Sequence, residues 1–253
     1  MLHFNDIVFG PIFSRRLGNS LGMNILPVKG KLCNFDCVYC ECGWNKDGME
    51  SGRRFPTGKE VEEAVAASFA RLAEEGAKVD SITMSGNGEP TLNPDFPQIV
   101  DSTLHFRDLY FPDAKVSVLS NATMLGRHGV LEALKKIDNP ILKVDASTDE
   151  LVAMINRPSG KYRLEEVVEH LEEFGGNFIM QTMFLHSPDF DTAAPEALEG
   201  WYAIVRRVRP REIMVYTIDR ETPDKRLGKC SVEEMQEYVK PLVNEGFEIQ
   251  IRG

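Results

Sequence analysis

Past residue 57 the chain alternates between two hydrophobic patterns. Short β-branched and apolar runs, SITMS (81–85), KVSVLS (115–120), ILKVDA (141–146), NFIMQTMFL (177–185), EIMVYTI (212–218) and FEIQI (247–251), read as strands. Between them lie amphipathic runs with helix signals. Thr57 and Glu60 form a capping box ahead of an apolar stripe of Val61, Val65, Phe69 and Leu72, and Gly76 supplies a stop. Ser231 and Glu234 repeat the device before Met235, Tyr238 and Leu242, and the run 164–174 carries Leu164, Val167, Val168 and Leu171 on one face. These stripes are core positions.

Strand starts recur about 26 to 36 residues apart, the length of a strand, a loop and a crossover helix. With an earlier strand at 21–26, the pattern gives six βα units and a final strand near residue 249. A closed eight-unit barrel usually takes more chain. The expectation is an α/β fold, a six-stranded partial (β/α)6 barrel, in one domain over 1–253 with a short N-terminal extension, 1–20, that reads as irregular. The cysteine-rich loop and 186–195 read as irregular too.

Composition narrows the function classes. The 253 residues are 42% hydrophobic, enough for one sizeable core. No apolar run approaches the roughly 18 residues of a membrane span, and the first ten residues lack a signal-peptide pattern. Lys and Arg number 29 against 39 Asp and Glu, a net charge of −10, which disfavours nucleic acid as a partner. Five cysteines form an odd count, clustered rather than spread as a disulfide framework would be, so metal-bound thiols in a reducing cytoplasm are expected.

Four of those cysteines fall in Lys31 to Trp44, KLCNFDCVYCECGW, immediately after the first strand. Chemistry in parallel α/β folds gathers at the carboxyl ends of strands, where this loop lies. Cys33, Cys37 and Cys40 read C-x3-C-x2-C, soft ligands suited to an iron–sulfur cluster or to zinc. Cys42, one residue beyond Cys40, leaves two possibilities: a closed four-thiolate site, or three thiolates with an open position. Cys230 stands alone, and the histidines at 3, 105, 128, 170 and 186 show no metal spacing.

The C-x3-C-x2-C spacing with Tyr39 before the last cysteine resembles the signature of the radical S-adenosylmethionine (SAM) superfamily. That resemblance implies a [4Fe-4S] cluster held by Cys33, Cys37 and Cys40, with the fourth iron left to SAM. Reductive cleavage of SAM would then yield a 5′-deoxyadenosyl radical that takes hydrogen from a substrate. Ser85-Gly86-Asn87-Gly88-Glu89-Pro90 looks like the family's GGE motif, with Asn87 in place of the second glycine. By the same resemblance Tyr39, Gly86, Asn87, Gly88, Glu89, Ser120, Asn121 and Asp145 are SAM-binding candidates. Cys42 becomes a neighbour, because a fourth thiolate would exclude SAM.

Substrate-pocket candidates are Arg15, Arg16, Gln181, Thr182, Tyr216 and Arg220, polar residues at strand ends or in the leading loop. The segment Gly10 to Gly22 (GPIFSRRLGNSLG) and Tyr216 to Pro223 look like a wyosine-synthase-like subgroup, without a flavodoxin domain. A radical SAM enzyme acting on a small molecule or peptide, with a flavodoxin- or ferredoxin-type reductant, is expected. The alternatives are a tRNA wyosine-type base modification, a glycyl-radical activating enzyme, and a non-catalytic iron–sulfur or zinc protein.

Overall fold

A computed structural model describes residues 4–14, 17–48 and 54–253. Among the described residues, ten strands and seven α-helices follow one another. The strands are β1 (Val8–Ser14), β2 (Gly18–Met23), β3 (Ser81–Met84), β4 (Lys115–Ser120), β5 (Asn139–Lys143), β6 (Ile179–Met183), β7 (Leu185–His186), β8 (Glu212–Tyr216), β9 (Gly228–Lys229) and β10 (Ile249–Arg252). The helices are α1 (Gly58–Glu74), α2 (Phe96–Tyr110), α3 (Val130–Lys135), α4 (Asp149–Ile155), α5 (Leu164–Glu172), α6 (Pro195–Val208) and α7 (Val232–Asn244).

Eight strands build one sheet in the order β1-β2-β3-β4-β5-β6-β8-β10. Every neighbouring pair from β2 to β10 is parallel. The architecture is the expected α/β arrangement of partial-barrel type, with six parallel strands from β2 to β8, and it continues at both ends. β10 adds a seventh parallel strand, and β1 pairs antiparallel with β2. The expectation of irregular chain before residue 20 is therefore corrected. Gly10 and Pro11 sit where the β1–β2 register shifts, between Phe9 and Ile12. A glycine and a proline inside VFGPIFS erase the alternation that announces a strand, and a bulge at an edge accommodates them.

The helices form as their end signals imply. Both capping boxes are made, Thr57 with Glu60 and Ser231 with Glu234. Val61, Val65, Phe69 and Leu72 are buried on α1, and Leu164, Val167, Val168 and Leu171 on α5. On α7 the buried set is Met235, Val239 and Leu242. Tyr238, expected in that stripe, packs only partly buried against the Phe184 ring.

Strand alternation then separates two layers. Val116, Val118, Leu142, Met180, Ile213 and Val215 turn to the helices and join the main core. Ile141, Ile179 and Met214 turn the other way and pack together with Leu119. Two residues further along the same strands stand Lys143, Gln181 and Tyr216, which line the cavity above that apolar plug. The barrel is thus filled at its base and open at the carboxyl ends of its strands.

Candidate functional site

The cavity at those strand ends has a volume of about 530 Å³. Cys33, Cys37, Cys40 and Cys42 all line it, with Tyr39, Gly86, Gly88, Glu89, Ser120 and Asn121. Gln181, Tyr216 and Arg220 complete the far wall with Lys143. Arg15 and Arg16 lie outside the described residues.

The cysteine loop is stitched to the loop after β3 by backbone. Leu32 donates its N–H to the Asn87 carbonyl at 2.7 Å, and Glu89 N–H donates to the Leu32 carbonyl at 3.1 Å. Gly88 makes that seam possible. With φ at +139° it occupies backbone space a side chain avoids, and a Cβ there would lie 1.9 Å from the Leu32 oxygen. Glu89 is fully buried and accepts from Thr91, from Ser120 Oγ at 2.9 Å and from the Asn121 N–H at 2.6 Å. Burial raises its pKa, while these donors favour its charged form. Its carboxylate ties the ends of β3 and β4 together beneath the cavity.

Three predicted residues serve the wall and do not face the cavity. Asn87 sits where a second glycine was expected, and its side chain turns away: Oδ1 accepts from Phe4 N–H at 2.9 Å, while Nδ2 donates to the Phe4 and Pro27 carbonyls. Thr182 donates to the Val144 carbonyl and accepts from Trp201 Nε1. Asp145 is buried, accepting from Tyr39 Oη, Asn156 Nδ2 and Met183 N–H. Asn121 lines the cavity, yet its amide also bonds Asn34 Oδ1 at 2.8 Å and approaches Cys33 Sγ at 3.8 Å. Arg220 is exposed at the mouth and pairs with Glu41 at 2.7 Å.

Two lysines dominate the electrostatics, and neither was a candidate. Lys31 is 1% exposed, donates to the Gly43 carbonyl at 3.0 Å and pairs with Asp36 at 3.2 Å. Burial by itself would lower its pKa, but the neighbouring sulfurs of Cys40, Cys33 and Cys37, with Asp36, raise it instead. Lys143 donates to Tyr216 Oη at 2.6 Å, lies 3.6 Å from Asp145, and sits 5.2 Å from the centroids of both the Tyr39 and the Tyr216 rings. Burial again opposes its charge, and Asp145 and Tyr216 more than offset it. In the sequence Lys143 interrupts the apolar run ILKVDA, a signal that could have marked it, whereas Lys31, in VKGKLC, carries none.

The thiols differ accordingly. Burial pushes Cys33 up, and it pushes Cys37 up to about 11. Cys40 is held low by a hydrogen bond from Cys42 and by the Lys31 ammonium, working against burial; the same hydrogen bond raises Cys42. Cys42 also reaches the Gly86 carbonyl at 3.8 Å. Among the described residues no three or more Cys, His, Asp or Glu are placed to hold a single metal ion. A cubane takes one thiolate per iron, so its ligands need not crowd one centre. Three thiols along a cavity wall, backed by a buried ammonium that compensates anionic sulfur, fit such a cluster by donor chemistry and charge.

Comparison with known proteins meets this geometry. The sequence model of the Radical SAM superfamily matches residues 28–199. The chain belongs to that superfamily. A relative, UPF0026 protein MJ1312 of Methanocaldococcus jannaschii, is 27% identical over 90% of this chain and 68% of its own length. Among solved structures, a radical SAM methyltransferase from Sphaerobacter thermophilus superposes with a TM-score of 0.68 at 16% identity, over 95% of this chain and 67% of that one. SuiB of Streptococcus suis bound to S-adenosylmethionine gives 0.65 at 16% identity over 93% of this chain, which spans 52% of SuiB. Membership implies an enzyme of the radical SAM type, using SAM and an iron–sulfur cluster. Among the described residues no helix is long and apolar enough to cross a membrane.

Proposed function

We propose that this chain is a radical SAM enzyme in which Cys33, Cys37 and Cys40 hold a [4Fe-4S] cluster at the mouth of the strand-end cavity. The observation that carries the reading is their convergence, with the Gly86–Gly88 backbone and the Lys31 ammonium, on one cavity above a filled barrel base. Bound together, cluster and SAM supply reductive cleavage to methionine and a 5′-deoxyadenosyl radical that removes hydrogen from a substrate.

The chain's own residues bind, orient and shield. Gly86 and Gly88 let the loop after β3 lie against Asn24 and Leu32, where a Cβ would fall 2.1 Å and 1.9 Å from their oxygens, and both line the cavity, so that backbone is offered to a zwitterionic ligand. Ser120 and Asn121 stand at the end of β4 for polar groups of the ligand, and Tyr39 offers an aromatic face beside the sulfurs. Lys143, Gln181, Tyr216 and Arg220 form the far wall, where a substrate's polar or anionic groups can be held. Met183 and Leu119 keep the cavity floor apolar and restrict water around the reacting centre.

The substrate class favoured is a small molecule or a peptide. SuiB, of the same fold, has been solved bound to precursor peptide SuiA, and a net charge of −10 stands against a tRNA. A flavodoxin- or ferredoxin-type protein would deliver the electron. The test is anaerobic reconstitution with iron and sulfide, followed by dithionite and SAM. Release of 5′-deoxyadenosine supports the reading; a chain that takes up the cluster and forms none refutes it.

A further inference from the structure

Cys37 differs from the other cluster cysteines in what surrounds it. Its two chain neighbours are anchored to the end of α4, 119 residues away in sequence: Asp36 N–H donates to the Asn156 carbonyl at 2.8 Å, and Val38 N–H to the Ile155 carbonyl at 2.9 Å. Between those two bonds the Asn156 amide comes within 3.4 Å of Cys37 Sγ. The same Nδ2 reaches Asp145 Oδ2 at 2.8 Å and Tyr39 Oη at 3.3 Å, so the amide is oriented by a carboxylate that is itself buried. Asn156 is 2% exposed, closes α4 as its C-cap, and precedes Arg157 in the left-handed region with φ of 48°. Arg157 in turn stacks over the Trp44 ring at 4.9 Å, closing the far side of the loop. The cysteine loop is thus clamped by one helix end that belongs to neither of the recognisable motifs.

We propose that Asn156 is a positioning and tuning residue for the cluster: its amide fixes the Cys37 sulfur and donates an N–H to it. This rests on the cluster assignment above. A hydrogen bond to a ligating sulfur withdraws negative charge, favours the reduced cluster and raises its potential. Removal of the donor therefore makes the cluster harder to reduce. A helix cap that only supported the fold would leave the potential where it was.

The test compares Asn156→Leu and Asn156→Ala with wild type and with Val152→Ala, which loosens the same helix from a buried position while keeping the Asn156 amide. Each is reconstituted anaerobically and titrated redox-wise under electron paramagnetic resonance. Expected are a more negative midpoint potential in both Asn156 variants and an unchanged one in Val152→Ala. An unchanged potential in an Asn156 variant that holds iron, or an equal shift in Val152→Ala, overturns the assignment. Should neither Asn156 variant take up iron, thermal unfolding of the metal-free chains decides. A midpoint no lower than that of Val152→Ala supports the assignment, and a lower one overturns it. A wild-type chain without a cluster refutes the proposed function; a wild-type cluster indifferent to Asn156 refutes only this inference.

Discussion

The same strands face two ways and obey opposite rules. On the helix side, β4, β5, β6 and β8 present Val116, Val118, Leu142, Met180, Ile213 and Val215, all apolar and within one continuous core. On the cavity side they present Lys143, Gln181 and Tyr216 above a small plug of Ile141, Ile179 and Met214. The helix side is stabilised by buried area and volume, which tolerate substitution by residues of similar size. The cavity side depends on specific partners, because each buried polar group must be satisfied or costs stability. The helix side can lose stability without losing chemistry; on the cavity side one lost partner can cost both.

Five substitutions probe that division. The largest effect is expected from Cys40→Ala, which should abolish iron uptake and SAM cleavage, whereas Cys42→Ala should retain both; visible spectra and iron content after reconstitution decide. Retained activity in Cys40→Ala would overturn the ligand assignment. On the helix side, Phe69→Ala removes a fully buried ring that packs edge-on with Phe111 at 5.6 Å. It should cost about 3–5 kcal/mol in denaturant unfolding, with the cluster spectrum of the folded fraction unchanged.

Tyr39→Phe is smaller and crosses the division. It deletes the hydroxyl that donates to Asp145 while keeping the ring against the cavity. Asp145 keeps its bonds from Asn156 and Met183, so the loss should be about 1–2 kcal/mol by the same unfolding measurement. A loss as large as that of Phe69→Ala would mean the Asp145 network is less redundant than its geometry implies. Smallest is Arg220→Ala at the exposed mouth, expected to change stability by less than about 1 kcal/mol. Its effect should be on substrate turnover, once a substrate is known.

Legibility in the sequence followed the same boundary. Both capping boxes and the apolar stripes of α1 and α5 were readable because helix periodicity and end chemistry are local. The parallel strands were readable within a few residues. β1 was not, since Gly10 and Pro11 interrupt its alternation and only pairing with β2 makes it a strand. Asn87 was expected to bind SAM and Thr182 to line the substrate pocket, whereas their side chains bond Phe4, Pro27, Val144 and Trp201, partners that only the folded chain supplies. Lys31 and Lys143 were passed over because a lysine in sequence reads as solvated, and burial beside a cysteine loop or between two tyrosines appears only once the chain is folded.

By itself the sequence determined the class of element at most positions, the α/β order, and a set of thiols spaced for a cluster, because all three depend on residues near one another in the chain. The tertiary structure decided which thiol meets which neighbour. It set Lys31 behind Cys40, Cys42 beside Cys40, and the end of α4 against Cys37. Those contacts join segments as much as 119 residues apart. They exist only because a barrel brings the ends of all its strands to one place.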